Sequence, residues 1–337
     1  MEDSVLLRVD NLKVHFPLRQ SLPDIIARKK PQYVRAVDGV SFLIQKGKTL
    51  AVVGESGCGK TTLGRSIVRL INPVNGRIYF RGQDISQAAA WKDGTLRKEI
   101  QYIFQNPYAS LNPKATALEI VRRPMDIFGL HDKSQRDRRA LQLLGMTGIA
   151  TSQSMRYPHE FSGGQRQRIS IARALAVEPS LIIADEPTSA LDVSIQCQIL
   201  DLLAELQRQL DLSMLFISHD LGVVEFISDD VMVMYLGHVV ETGNTRKIFR
   251  APAHPYSRAL VDALPRRGSS RHEARVKLKG YIPSPINPPQ GCLLHPRCQF
   301  AQDICRRERP VVQPAGDGHL AACHFAGQLE LGLLAPA

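Results

Sequence analysis

A glycine-rich octapeptide carries the clearest chemistry in the chain. Residues 54–61 read Gly-Glu-Ser-Gly-Cys-Gly-Lys-Thr, which fits the pattern G-x-x-x-x-G-K-[ST] of loops that wrap a polyphosphate. Glycine lets backbone N–H groups approach the phosphates closely, and the N-terminus of a following helix favours the anion. The sequence therefore predicts a phosphate site in which Lys60 reaches the β- and γ-phosphates and the Thr61 hydroxyl ligates Mg²⁺.

The segments on either side of this loop are the ones that the pattern requires. Residues 49–53 are short, apolar and β-branched, which is typical of a buried strand, and residues 62–70 have the apolar spacing of a helix. A glycine-rich surface turn is the alternative interpretation. The succession of strand, loop and helix counts against it.

A second candidate group is the acidic pair Asp185-Glu186. Four apolar residues, 181–184, precede it and predict a buried strand that delivers Asp185 beside the phosphate loop, where it holds Mg²⁺ through water. Glu186 follows at once and is placed to polarise a water in line with the γ-phosphate. Without the phosphate loop, a charged turn after a strand would be the better interpretation.

Residues 161–168, Phe-Ser-Gly-Gly-Gln-Arg-Gln-Arg, predict a second anion site. Ser162 can cap a helix that starts near Gln165, and Gly163 and Gly164 expose backbone N–H groups. One nucleotide cannot easily use two helix N-termini so far apart in sequence. We therefore expect this site to serve the γ-phosphate of an ATP that is bound by a partner subunit.

The wider pattern indicates an α/β fold with parallel strands. Expected strands and helices alternate from residue 181 to residue 228, and a hairpin across Leu236-Gly237 follows. Residues 107–160 have a mostly helical pattern and form an insert. Residues 17–35 predict a loop or a short helix, and residues 280–325 a loop-rich module with little core of its own. Such an alternation places a phosphate site at the carboxyl ends of the strands.

Composition narrows the class of protein. The chain of 337 residues is 44% hydrophobic and 22% charged, with a formal net charge of +11. It has no apolar run of 18 residues and no basic-then-apolar leader, so we expect a cytoplasmic protein without a membrane span. Lysine and arginine are scattered along the chain, so we expect their charges to lie on solvated faces or to face an anionic membrane surface. Aromatic residues are few, so we expect no nucleic acid as a partner.

Four of the six cysteines lie close together near the end of the chain. Cys292, Cys298, Cys305 and Cys323 fall in the loop-rich module, and such a cluster in a cytoplasmic protein favours a metal over disulfides. Four thiolates suit tetrahedral zinc or an iron–sulfur cluster. The spacing lacks the tight C-x₂-C pairs of zinc ribbons and leaves both metals open.

These residues together resemble the nucleotide-binding subunit of an ATP-binding-cassette (ABC) transporter. Six motifs occur in the family's order. They are the Walker A loop (54–61), the Q-loop (104–106), the signature (162–165), Walker B (181–186), the D-loop (189–192) and the switch histidine (218–220).

The resemblance implies roles for individual residues. Glu186, His219 and Gln105 would be catalytic, and Gln105 would join Thr61 and Asp185 at Mg²⁺. Ser162, Gly163, Gly164, Gln165 and Asp192 would contact the ATP of the other subunit. The implied ATP-binding set is Phe16, which would stack on adenine, and Gly54, Glu55, Ser56, Gly57, Cys58, Gly59, Lys60, Thr61, Thr62, Gln105, Asp185, Glu186 and His219.

The end of the chain is similar to the extension of oligopeptide/dipeptide importer ATPases. The residues that carry this likeness are His254-Pro255-Tyr256, residues 283–289 and Gly291-Cys292. The sequence of residues 161–168 is most similar to that of the F-type subunits, whose usual partner is a related D-type ATPase. The resemblance favours a [4Fe–4S] cluster on the four cysteines, with Zn²⁺ as the alternative.

The implied fold is an ABC-type P-loop (RecA-like) nucleotide-binding domain over residues 1–250, with antiparallel β and helical subdomains, the helical one at about 107–165. A loop-rich extension that carries the four-cysteine metal-cluster site covers residues 251–337. The implied function is ATP hydrolysis that powers di- and oligopeptide import. The implied partners are a D-type ATPase, two transmembrane permeases and an extracytoplasmic binding protein, at the cytoplasmic face of a bacterial inner membrane.

Two alternatives stay open at this point. An importer ATPase for nickel, glutathione or a peptide antibiotic has the same design, since the ATPase does not touch the cargo. A soluble ABC ATPase that acts on ribosomes or DNA is permitted by the positive charge and by a possible iron–sulfur cluster. The single cassette counts against it, because soluble relatives with clusters usually carry two cassettes in one chain.

Overall fold

The computed structural model describes residues 4–20, 28, 30–264, 276–316 and 318–328. It divides into two compact units. The first consists of residues 1–7, 44–49 and 79–218, and the second of residues 8–43, 50–78 and 219–337. Within the loop or short helix expected over residues 17–35, residues 21–27 and 29 lie outside the described residues, and residues 33–35 belong to a strand that starts at Tyr33.

The secondary structure alternates as the sequence predicts. The strands of the described residues are β1 (Val5–Pro17), β2 (Tyr33–Gln45), β3 (Thr49–Val53), β4 (Asn75–Phe80), β5 (Gln83–Asp84), β6 (Ile100–Ile103), β7 (Leu181–Asp185), β8 (Ser213–Ile217), β9 (Asp230–Tyr235), β10 (His238–Asn244), β11 (Gln313–Gly316) and β12 (His319–Ala321). The α-helices are α1 (Lys60–Ile67), α2 (Thr95–Glu99), α3 (Pro107–Ser110), α4 (Ala117–Ile127), α5 (Lys133–Met146), α6 (Gly163–Leu175), α7 (Val193–Leu210), α8 (Leu221–Ile227), α9 (Thr245–Arg250), α10 (Pro255–Asp262) and α11 (Asp303–Arg307).

The first unit is built on the parallel strands β6, β7 and β8. Leu181 lies opposite Ile100 on one side and Ser213 on the other. Every residue of β7 and β8 is buried, as expected for parallel strands covered on both faces, and this burial explains their unbroken apolar runs. The carboxyl end of β7 therefore delivers Asp185 at a fixed place.

The helices expected over residues 107–160 are present in the same unit as α3, α4 and α5. Helices α4, α5 and α6 pack against one another. A capping box starts each of these three helices, with Thr116, Asp132 and Ser162 at the respective N-caps. Each box satisfies backbone N–H groups that would otherwise lack a partner at the start of a helix.

The second unit holds β3 and the strands beside it in the order β11–β12–β10–β9–β3, and separately the neighbours β2, β1 and β4. Strand β3 runs parallel to β9, and β9 and β10 form the predicted hairpin. Leu236 and Gly237 at its turn have φ values of +45° and +78°, which is typical of a two-residue type I′ turn.

The end of the chain adds to this sheet and does not form only loops. Ala321 and Leu320 of β12 pair with Glu241 and Thr242 of β10. The carboxylate of Glu241 is 1% exposed and accepts hydrogen bonds from the backbone N–H groups of Ala253 and His254. The side chain of His319 also contacts this carboxylate. These contacts join the tail to β10 at Ala253, His254 and His319.

Among the described residues, no helix is both long and apolar enough to cross a bilayer.

Candidate functional site

The glycine loop lies between β3 and α1 and is shaped by the backbone around it. Gly54 and Gly59 have φ values of +152° and +105°. A Cβ atom on Gly59 would lie 1.9 Å from the carbonyl oxygen of Ala36, and one on Gly54 would lie 2.2 Å from that of Met234. Glycine is required at both positions because the neighbouring backbone occupies the space of any side chain.

Lys60 fills the concave side of this loop. Its side chain is buried, and its Nζ donates hydrogen bonds to the carbonyl oxygens of Gly54, at 2.7 Å, and Glu55, at 3.1 Å. The first turn of α1 contains no acidic residue. A buried ammonium group at a helix N-terminus favours the binding of a polyphosphate here.

The other residues expected near the loop lie in varied positions. Thr61 and Thr62 begin α1 and are half-buried, and Cys58 is buried, which raises the pKa of its thiol. Phe16 is 39% exposed near the end of β1. His219 is exposed just before α8.

Asp185 in the first unit is completely buried and hydrogen-bonded. The hydroxyl of Tyr102 on β6 donates to its Oδ2 at 2.8 Å. Tyr102 thus orients the carboxylate that was expected to hold Mg²⁺. Tyr102 belongs to none of the sequence motifs. The signal that indicates it is an aromatic residue with a polar tip in a short, mostly buried strand.

Glu186 and Gln105 are brought together in the same unit. Gln105 Nε2 donates to Glu186 Oε2 at 2.9 Å and lies 3.5 Å from Ser189 Oγ. Glu186 has φ +45°, a left-handed conformation that costs about 1–2 kcal/mol for a residue with a Cβ. Its backbone N–H donates to the carbonyl of Ile217 at 2.9 Å and holds this turn in place. Strain of this kind is concentrated at functional sites.

The start of α6 has the cap that the sequence predicts. Ser162 Oγ accepts from the N–H of Gln165 at 3.3 Å, and Gln165 Oε1 accepts from the N–H of Ser162 at 3.1 Å. The helix begins at Gly163, two residues earlier than expected. A Cβ atom on Gly164 would lie 2.5 Å from Ile195 Cγ2 of α7, so close packing of two helices requires this glycine.

Asp192 occupies the N-cap of α7 without capping it through its side chain. The residue is exposed, and the adjacent Val193 is 75% exposed.

The four tail cysteines line one small pocket in the second unit. Phe300, Phe325 and Leu294 supply apolar walls, and all four cysteines are free thiols. Burial raises the pKa of the Cys292, Cys298 and Cys323 thiols, the last to about 11. As the side chains stand, no group of three or more His, Cys, Asp or Glu residues in the described ranges is arranged to hold a metal ion.

Two family models match the chain. One, described as ABC transporter, matches residues 37–189, and the other, described as oligopeptide/dipeptide transporter, C-terminal region, matches residues 240–305.

Curated relatives match over nearly their whole lengths. The oligopeptide transport ATP-binding protein AppF of Bacillus subtilis is 49% identical over 95% of this chain and 97% of its own length. The dipeptide transport ATP-binding protein DppF of Haemophilus influenzae is 47% identical over 96% and 97%. DppF of Escherichia coli is 46% identical over 96% of both chains.

Solved structures match the larger part of the chain. The ATP-binding cassette MJ0796, in a dimeric post-hydrolysis state bound to ADP and phosphate, is 28% identical with a TM-score of 0.61, over 72% of this chain and 99% of that one. The protein cbiO1 of Clostridium perfringens, part of the ABC transporter complex cbiONQ, is 28% identical with a TM-score of 0.62, over 74% and 92%.

The loop geometry predicts different costs for alanine at two of its glycines. Gly59→Ala places a Cβ atom against the Ala36 backbone, whereas a Cβ atom on Gly57, at φ +80°, meets nothing within 4 Å. Both variants carry the left-handed strain of about 1–2 kcal/mol, but only Gly59→Ala adds a clash. We expect Gly59→Ala to lower the free energy of unfolding of the ligand-free protein by at least ~2 kcal/mol more than Gly57→Ala, as measured in denaturant. Equal losses would show that the backbone at residue 59 shifts freely.

Proposed function

The chain belongs to the oligopeptide and dipeptide transport ATP-binding proteins of the ABC transporter family, and from this we propose that it hydrolyses ATP to power peptide import through membrane-embedded permeases. Identity of 46–49% over nearly the whole length of the relatives is the observation that carries this proposal. By the same likeness the chain works with two permeases and an extracytoplasmic peptide-binding protein, at the cytoplasmic face of a bacterial inner membrane.

The proposed ATP site begins at the glycine loop. Residues 54–62 surround the phosphates, Lys60 exchanges its contacts with loop carbonyls for the β- and γ-phosphates, and exposed Phe16 stacks on adenine. The carboxylate of Asp185, the Thr61 hydroxyl and the Gln105 side chain are oxygen donors of the kind that Mg²⁺ prefers. A Mg²⁺ ion held by these residues would neutralise the charge that develops on the phosphates.

Glu186 is the proposed general base of hydrolysis. The Gln105 amide holds its carboxylate at 2.9 Å and can exchange this contact for the attacking water. Asp185, by contrast, is buried and fixed by Tyr102, which suits a metal ligand. His219 is exposed just before α8. It is proposed to contact the γ-phosphate.

The signature segment is proposed to act on the ATP of a second subunit. The glycine-capped start of α6 offers backbone N–H groups, and Asp192 is exposed and does not cap its own helix. The solved cassette MJ0796 is a dimer. We assign the second subunit to a related D-type ATPase, so that each subunit lends Ser162, Gly163, Gly164, Gln165 and Asp192, or their counterparts, to the other. The proposed boundaries are 1–250 for the cassette, with the helical part at about 107–165, and 251–337 for the extension.

The proposal extends to a [4Fe–4S] cluster on the four cysteines. Its support is the donor set, because four free thiols line one pocket with apolar walls and thiolates are the usual ligands of such clusters. The cluster would link residues 292, 298, 305 and 323 to one another. It would thereby stabilise a segment that has little apolar core.

Glu186→Gln tests the assignment of the base. The amide cannot accept the proton of the attacking water, so the rate of ATP hydrolysis should fall by a factor of about 10²–10⁴ while ATP binding persists. Retained ATP should also hold the heterodimer together, which size-exclusion chromatography with the D-type partner would detect.

The matched control is Glu178→Gln. Glu178 is an exposed carboxylate of the same unit that pairs with Arg139, and its loss should leave turnover unchanged. Undiminished hydrolysis in Glu186→Gln would refute the base, and loss of ATP binding in that variant would place Glu186 in the binding site instead.

Substitution of the tail cysteines tests the cluster. Cys323→Ser should lower the iron and acid-labile sulfide content of the purified chain and make residues 280–325 more sensitive to protease, whereas Cys197→Ser, at an exposed cysteine outside the tail, should change neither. Equal iron in Cys323→Ser and in the unsubstituted chain would contradict the cluster. Stoichiometric zinc without sulfide would replace it with the Zn²⁺ alternative.

Reconstitution tests the transport function. Vesicles that contain the chain, its D-type partner and the two permeases should accumulate labelled peptide when ATP is inside and the peptide-loaded binding protein outside. Hydrolysis should rise with the peptide-loaded binding protein and not with the same protein loaded with nickel or glutathione. Stimulation by either of those cargoes alone would reassign the substrate. Copurification with ribosomes or DNA in place of permeases would reject the transporter.

A further inference from the structure

The second residue of the phosphate loop, Glu55, is held by side chains from far along the chain. Arg297 Nη1 donates to Glu55 Oε2 at 2.7 Å, and Arg297 Nη2 donates to Glu55 Oε1 at 2.9 Å. The two residues are 242 positions apart. A bidentate arginine–carboxylate pair fixes both the distance and the orientation of the carboxylate.

The backbone of Glu55 is held from the same side. Its N–H donates to the Tyr256 hydroxyl at 2.8 Å. The ring of Tyr256 packs on that of Tyr235 with centroids 4.8 Å apart, and the Arg297 guanidinium lies 5.7 Å from the Tyr235 centroid. Both tyrosines are almost completely buried, so this N–H is fixed toward the tyrosine and away from any ligand in the loop.

The carbonyl of Glu55 connects this arrangement to Lys60. Lys60 Nζ donates to it at 3.1 Å and to the Gly54 carbonyl at 2.7 Å. Glu55 therefore helps, together with Gly54, to position the ammonium group of Lys60. Arg297 reaches the phosphate-binding cation through one intermediate residue.

The burial of Arg297 is costly as a purely structural feature. The residue is 7% exposed, and its Nε–H is buried without a hydrogen-bond partner among the described residues. Such an unpaired donor carries a desolvation penalty, and an apolar residue of similar size often replaces a buried ion pair without loss of stability. An arginine at position 297 is explained if it is needed to hold Glu55, and with it the phosphate loop, in place.

The tail backbone delivers Arg297 to the loop. Its N–H donates to the Leu294 carbonyl at 2.8 Å, and its own carbonyl accepts from the N–H of Lys279 at 3.1 Å. The neighbouring Cys298 also donates to the Leu294 carbonyl, at 3.0 Å. The arginine is thus part of a turn that leads directly into the cysteine pocket.

We propose that Arg297, with Tyr256, is a positioning residue of the ATP site, which holds the phosphate loop through Glu55 and so sets the affinity for ATP. The inference rests on the proposed ATP site. The carboxyl-terminal segment is then required for nucleotide binding by the same chain, independently of any contact with ATP itself.

Equilibrium ATP binding by the full chain, measured without Mg²⁺ to prevent turnover, tests the inference. Arg297→Ala should raise the dissociation constant for ATP about tenfold, which corresponds to about 1.4 kcal/mol. In steady-state hydrolysis the KM should rise by a similar factor while kcat changes less than about twofold, since Arg297 does not touch the reacting atoms. An unchanged dissociation constant and KM would overturn the inference.

A double-substitution cycle separates a positioning role from general loosening of the tail. If Arg297 acts through Glu55, Arg297→Ala should have no further effect on ATP binding in a Glu55→Ala background. Additive effects of the two substitutions would overturn the inference. Tyr256→Phe keeps the ring packing and removes only the acceptor of the Glu55 N–H, so it should weaken ATP binding in the same direction without lowering iron content.

Arg309→Ala is the matched control. Arg309 is an exposed arginine of the tail that contacts His238 and not the loop, so its removal should leave ATP binding unchanged. If it weakens binding as much as Arg297→Ala does, the effect belongs to the charge of the tail and the inference fails. An unsubstituted chain that binds no ATP would refute the proposed function itself, whereas normal binding that is indifferent to residues 55, 256 and 297 would refute this inference alone.

Discussion

The close contact between the phosphate loop and the backbone of β2 and β9 is the constraint on which the geometry of the proposed ATP site depends. Gly59 passes against the carbonyl of Ala36 in β2, and Gly54 passes against that of Met234 in β9. The hairpin turn closes the same region, because Gly237 N–H donates to the Cys58 carbonyl and Asp38 N–H donates to the Gly237 carbonyl. The loop therefore lies between β2 and β9, and contacts with the backbone of both strands fix its path.

The adjacent carboxylates of the first unit, Asp185 and Glu186, lie in different environments. Asp185 ends a fully buried strand and is fixed by a buried tyrosine hydroxyl. Glu186 turns out of the strand in a left-handed conformation and meets the exposed amide of Gln105. One carboxylate is therefore rigid and the other can change partners. This division suits a metal ligand beside a base, because the two roles need different environments.

The sequence predicted the parts of the site that depend on local patterns, and it missed those that depend on distant pairing. The loop, the buried strand before Asp185 and the Ser162 cap are coded within a few neighbouring residues, and the structure has each of them. Tyr102, Tyr256 and Arg297 received no role because each acts on a residue between 83 and 242 positions away. For the same reason the strands β11 and β12 were expected as loop, since their pairing with β10 has no local signal.

The pairing of β12 with β10 explains why the tail can influence the loop at all. Strand β10 follows β9 in a hairpin, and β9 runs directly beside β3, which leads into the loop. The buried Glu241 ties the tail to β10 at both Ala253 and His319, and between these anchors the chain supplies Tyr256 and Arg297. Both residues therefore lie in the chain between two points of attachment to β10. Their effect on Glu55 is then a consequence of strand order, and it does not require the tail to carry a core of its own.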